Sequence, residues 1–152
     1  MGYMNHNEDY SEDYLANILK TVKTIAMVGA SPDRTKFSYG VLRVLHETGY
    51  NMIPVNPGMA GETIRGLKVY PTLASIDQQI DMVEVFRRAE ELPGIAREAV
   101  AIKTKVLWGQ IGVFNEEAAR IAEDAGLKVV MNRCPKIELF RPFWKPKLHL
   151  AI

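Results

Sequence analysis

Five short apolar runs, separated by four stretches that carry helical spacing or a turn, limit what this 152-residue chain can fold into. The runs cover residues 24–28, 51–55, 80–86, 105–108 and 127–131. Between them, Val41, Val44, Leu45 and Thr48 fall three or four apart, as do Ile95, Ala99 and Ile102. Such spacing places each set on one face of a helix. Helices are thus predicted over 38–48, 92–103 and 115–124, with Asn115 capping the last and Gly49 and Gly126 as stops. Short strands joined by helical crossovers give a mainly parallel sheet with helices on both faces and right-handed connections. The expected class is α/β, three layers in a single domain.

The flanks are less regular. Tyr14, Leu15, Ile18, Leu19 and Val22 predict a leading amphipathic helix with Ser11 as its N-cap. Residues 1–22 are read as an N-terminal segment and helix packed on a domain of residues 23–152. The polar stretch to Asp9 is expected to fray. Residues 59–70 show no clear period, and 71–76 read as a short helical turn. Pro135, Pro142 and Pro146 argue against a long element in the tail, whose Phe140, Phe143 and Trp144 are expected to pack onto the body.

Bulk chemistry excludes several classes. A net charge of +1 gives no electrostatic footprint for nucleic acid. One cysteine, Cys134, allows no internal disulfide and points to a reducing compartment. There is no signal-peptide pattern and no apolar run near the roughly 20 residues a membrane span requires. A cytoplasmic protein is expected. Metal-ligand spacing is absent. His6 falls in the polar N-terminus, His46 late in a helix and His149 in the tail, so none takes a catalytic role. Asp81 and Glu84 interrupt an apolar run and read as polar residues near a strand edge or end.

Ligands of open parallel sheets bind beyond the carboxyl ends of the strands, so the first strand-to-helix turn is the first candidate. Here it reads Val28-Gly29-Ala30-Ser31-Pro32, followed by Arg34 and Lys36. Glycine allows close backbone approach, and N–H groups with cations suit an anion. A dinucleotide such as NAD fits poorly. Ser31 and Arg34 stand where the glycine fingerprint needs its second and third glycines, and no Asp or Glu occurs between Glu47 and Glu62 to hold ribose hydroxyls.

Five motifs at predicted strand ends carry a resemblance: V-G-A-S-P, P-V-N-P, V-F-R-R, W-G-Q-I-G-V and N-R-C-P. In this order, over residues 24–138, they resemble the small CoA-binding proteins, stand-alone relatives of the CoA-binding domain in the succinyl-CoA synthetase alpha subunit. The resemblance implies a Rossmann-like fold and coenzyme A as ligand. It implies that Gly29, Ala30, Ser31 and Pro32 hold the pyrophosphate, with Arg34 and Lys36 neutralising phosphate charge. Asn56 and Pro57 would line the adenosine side, Phe86 and Arg87 would close over the crevice, and Trp108, Gln110 and Gly112 would form the next rim. Arg133 and Cys134 complete the match. CoA carries a pyrophosphate and a separate 3′-phosphate, so dispersed cations suit it; Arg88 is a further candidate.

The expected role is a non-enzymatic binder of CoA or acyl-CoA, or a subunit for a ligase-type partner protein, with no nucleic acid, membrane or metal involved. A ligase or transferase component needing another polypeptide stays open; an NAD-dependent oxidoreductase is the weakest reading. A cation beside a thiol favours thiolate, so Cys134 next to Arg133 could form a mixed disulfide with CoA.

Overall fold

The computed structural model describes residues 2–141. Helix α1 (Glu12–Thr21) leads into strand β1 (Thr24–Val28), helix α2 (Phe37–Thr48) and strand β2 (Asn51–Val55). A small hairpin of β3 (Thr63–Ile64) and β4 (Leu67–Lys68) follows, then β5 (Met82–Val85) and α3 (Leu92–Ala101). The chain closes with β6 (Val106–Gly109), α4 (Glu116–Asp124), β7 (Lys128–Val130) and α5 (Pro135–Leu139).

The five main strands form one parallel sheet in the order β2-β1-β5-β6-β7. Alternation along each strand sorts side chains to opposite faces. Ile25, Met27, Met82 and Trp108 pack with Leu15, Leu42 and Leu139 of α1, α2 and α5. Ala26, Val83, Leu107 and Val129 pack with Ile95, Ala99 and Ala122 of α3 and α4. The result is the three-layer α/β arrangement expected.

Local signals explain most boundaries. The Ser11 side chain accepts from Tyr14 N, and the Asn115 side chain accepts from Ala118 N. Gly49 ends α2 in the left-handed region. The irregular segment holds a two-residue turn with positive φ at both Arg65 and Gly66, the type I′ hairpin geometry. An arginine at the first turn position gives no hairpin signal, which is why the sequence left it irregular. Arg65 itself pairs with Glu47 at 3.6 Å and lies over the Tyr39 ring.

The N-terminal segment does not fray. His6 is buried, with Nδ1 at 2.7 Å from the Tyr10 hydroxyl and Nε2 at 3.0 Å from Glu123 Oε1. Tyr10 and Tyr14 seal the edge of β7. The Tyr14 hydroxyl donates to Val129 O (2.8 Å) and accepts from Val129 N (3.0 Å), while Tyr10 accepts from Met131 N (2.8 Å). An open strand edge would otherwise present unpaired N–H and C=O groups. Burial pushes the Tyr14 phenol up to about 12.

Two further expectations change. Glu84 stands one residue from the end of its strand, but that strand is the central one and the side chain is fully buried, opposite Met27 and Trp108. Phe140, expected to pack onto the body, is exposed. Phe143, Trp144 and His149 lie outside the described residues. Among the described residues, no helix is long and apolar enough to cross a membrane and no cluster of residues suits a metal ion.

Candidate functional site

From β1 the chain steps outward to β2, then returns across the sheet to β5. The order therefore reverses between β1 and β5, and their carboxyl ends part to leave a crevice. Val28 and Val85 are register partners at that point. Gly29 turns the chain there with φ of 90°. A Cβ on Gly29 would lie 2.3 Å from Phe86 O, so only glycine lets the first turn pass this close to the neighbouring strand.

A cleft of about 420 Å³ opens over this crossing. Gly29, Ala30 and Ser31 form one wall, Asn56 and Pro57 a second, and Arg87 a third. The structure thus brings six of the sequence-predicted residues into one site. The Asn56 amide ties two walls together, donating to Ala30 O (2.9 Å) while its Oδ1 accepts from Gly58 N (2.9 Å). The N–H groups of Gly29 and Ala30 both point at Val55 O (3.2 and 3.3 Å). These two donors are committed to the sheet. Their part in the cleft is close approach, and the polar group that the turn offers is Ser31, whose Oγ also accepts from Asp33 N at 3.1 Å.

Pro32, Arg34 and Lys36 stand exposed on the loop continuing from Ser31. Asp33 organises that loop by accepting from the N–H (2.9 Å) and hydroxyl (2.7 Å) of Thr35. Those hydrogen bonds hold the Asp33 carboxyl below its usual range. Lys36 opens α2 as its N-cap. Among the described residues, Arg34 and Lys36 form no ion pair.

Arg87 reaches the cleft already paired, its Nη2 at 2.9 Å from Glu91 Oε1. Arg88 contacts the same carboxylate at 3.3 Å. The Arg87 hydrogen bond, helped by Arg88, holds Glu91 below the usual carboxylate range. An anion that takes Arg87 must compete with Glu91. Glu91 and Thr72, which also line the cleft, were missed by the sequence reading. Thr72 caps a single helical turn at 73–75, inside the stretch 71–76 that reads as such a turn. Glu91 reads as an ordinary helix-flanking acid.

Beyond Arg87 lies a second cleft of about 450 Å³, lined by Phe86, Arg88, Gln110, Ile111 and Gly112, with Arg87 and Glu91 common to both. Gln110 is only 3% exposed, and among the described residues neither its Oε1 nor its Nε2 has a hydrogen-bond partner.

Three predicted residues lie elsewhere. Trp108 is not a rim residue: it is fully buried in the core, and its indole N–H donates to Arg133 O at 2.9 Å. Alternation explains this, because residue 108 lies within β6 and the rim begins after Gly109. Arg133 follows β7, two strands beyond β5, where strand spacing near 4.8 Å puts it about 10 Å away. It pairs with Asp9 at 3.3 Å and lies over the Tyr10 ring. Cys134 is 1% exposed and belongs to the core, so its thiol is closed to a disulfide with CoA in this conformation.

The comparisons with known proteins agree with this geometry. Residues 23–139 match the family described as CoA binding domain. The uncharacterized protein YneT of Bacillus subtilis is 41% identical over 129 residues, which covers 84% of this chain and 93% of that protein. A solved structure of a hypothetical protein from Pyrococcus horikoshii OT3 superposes with a TM-score of 0.82 at 32% identity, covering 91% of this chain and 96% of that one. An ADP-forming acetate–CoA ligase of Methanocaldococcus jannaschii is 21% identical over 133 residues, 82% of this chain but only 19% of the ligase. The strand-end motifs, the Rossmann-like sheet and the match over residues 23–139 converge: this chain belongs to the CoA binding domain family.

Proposed function

We propose that this chain binds coenzyme A or an acyl-CoA at the carboxyl ends of β1 and β5, as a binding protein or a partner subunit without autonomous catalysis. The observation that carries this reading is the cleft at the strand-order reversal, floored by the Gly29 turn and fed by two exposed cations, Arg34 and Lys36, that form no ion pair among the described residues. The pyrophosphate meets Ser31 and displaces part of the Arg87–Glu91 pairing. Arg34 and Lys36 neutralise phosphate charge from the exposed loop. Asn56 and Pro57 line the nucleoside side. Charge-assisted contacts of this kind are stronger than neutral ones.

A ligase-type role in complex with another polypeptide is the second reading, and its support is the likeness to one fifth of an ADP-forming acetate–CoA ligase. Calorimetric titration with CoA, dephospho-CoA, NAD and ATP tests the first reading. CoA binds most tightly, and dephospho-CoA more weakly because it lacks the 3′-phosphate. Equal or tighter binding of NAD overturns the assignment. Recovery of acyl-CoA synthesis only on adding a nucleotide-grasp partner moves the balance to the second reading.

A further inference from the structure

Six large apolar side chains stand exposed among the described residues, and four of them share one end of the sheet. Phe37 opens α2 after β1, Ile111 follows β6, and Ile137 and Phe140 come with α5 after β7. Scattered exposed apolar residues are ordinary, whereas a gathered set marks a binding surface. Contacts join this set. The Phe37 ring lies 6.3 Å from the Phe86 ring, and Phe86 lines the second cleft with Ile111. Ile111 and Ile137 both line a third cleft of about 310 Å³. Ile137 and Phe140 stand three apart across the last turn of α5, and so lie on one side of it. The polar groups of the third cleft are matched to one another: Arg133 with Asp9 at 3.3 Å, Arg141 with Glu138 at 2.9 Å, and Asn132 Oδ1 with Gly112 N at 2.7 Å. What this surface has left to offer is apolar area.

We propose that Phe37, Ile111, Ile137 and Phe140 form a shelf for the acyl chain of an acyl-CoA, which makes CoA thioesters of medium-length chains the preferred ligands over free CoA or acetyl-CoA. This rests on the CoA reading above. With the nucleoside on the β2 side and the pyrophosphate at the Gly29 turn, the thiol end leaves toward β6 and the shelf. The first two clefts share Arg87 and Glu91, and the second and third share Ile111, so the three form one run along the strand ends. A charged protein segment would have to break the Arg133–Asp9 and Arg141–Glu138 pairs to gain partners of its own. An alkyl chain needs no polar partner and gains affinity from buried area alone. Lys136 does not oppose this: its Nζ lies over the Phe37 ring at 5.5 Å, and a lysine covers apolar surface with its stem while its head stays in water.

The test is calorimetric titration of the wild type and of the double variant Ile137→Ser with Phe140→Ser, using CoA, acetyl-CoA and hexanoyl-CoA. Both residues are exposed, so the substitutions spare the core. A methylene half withdrawn from water gains about twofold in affinity, so the four that separate hexanoyl from acetyl gain about fifteenfold in the wild type. In the double variant that preference falls to about threefold or less, while the affinity for CoA stays as it was. Equal wild-type affinity for acetyl-CoA and hexanoyl-CoA overturns the inference alone, as does a preference that survives the double substitution. A wild-type dimer that the double substitution dissociates in analytical ultracentrifugation gives the shelf to a second copy and overturns the inference too. Failure of the wild type to bind any of the three ligands overturns the CoA reading and this inference with it. If the double variant does not fold, nuclear Overhauser contacts between the hexanoyl methyl group and the Ile137 methyl groups decide in the wild type. Their absence at saturation overturns the inference.

Discussion

Glu84 offers the sharpest test of the packing. Its carboxyl is fully buried in the central strand, faces Met27 and Trp108 across the register, and has no hydrogen-bond partner at either oxygen among the described residues. Burial raises its pKa well above the ordinary 4.5, so the folded protein holds Glu84 as the neutral acid. The unfolded chain exposes the same carboxyl and ionises it normally. Below about pH 4.5 both states carry the proton, and the stability linked to Glu84 is fully present. As pH rises, the unfolded state loses its proton first. Stability then falls by about 1.4 kcal/mol per pH unit until the folded-state pKa is reached.

For a domain of this size that slope lowers Tm by about 3–5 °C per pH unit. Glu84→Gln removes the titration and keeps the side-chain shape. Calorimetric Tm values from about pH 4 to about pH 8 should converge at the acid end and separate as pH rises, with the variant progressively the more stable. Taking the difference between the two proteins cancels the histidines and the other carboxylates. Parallel curves across this range would refute the reasoning, because they require Glu84 to be ionised in the fold or paired.

Three further outcomes follow from single contacts. Tyr14→Phe removes the hydroxyl that serves both Val129 N and Val129 O, and should cost about 2–3 kcal/mol in urea unfolding; a change under about 0.5 kcal/mol would mean that water replaces it. Gly29→Ala puts a Cβ against Phe86 O at a positive φ and should destabilise the whole fold by about 2–4 kcal/mol, so a loss of CoA binding at unchanged Tm would contradict the close-approach reading. Arg34→Ala with Lys36→Ala should leave Tm within about 1 °C, because both are exposed, yet weaken CoA and flatten the salt dependence of its Kd; unaltered salt dependence would remove them from the phosphate contacts.

The elements were legible because period and punctuation agreed. Residues 24–28 and 51–55 alternate between turn signals and helical spacing, and the structure has strands over the same spans. Ser11, Gly49 and Asn115 act as caps because their local chemistry needs no distant partner. The Arg65-Gly66 hairpin was hidden because its turn chemistry rests on one glycine. The polar N-terminus looked loose because its partners, Glu123 and the edge of β7, lie more than a hundred residues away.

The sequence by itself determined an α/β chain with its candidate ligand turn after β1, since both rest on local spacing and on the rule that such sheets bind at strand ends. It could rank Gly29, Ser31, Asn56 and Arg87 as candidates without knowing that they meet. Only the tertiary structure decided strand order, and order decides distance. With β5 beside β1, Arg87 reaches the Gly29 turn; with β7 at the far edge, Arg133 turns instead to Asp9. Burial was equally beyond the sequence. Trp108 and Gln110 are two residues apart, yet one has its single polar atom paired in the core and the other keeps, at a cleft, a carboxamide with no partner among the described residues. That difference depends on where β6 ends against its neighbours, which no local pattern records.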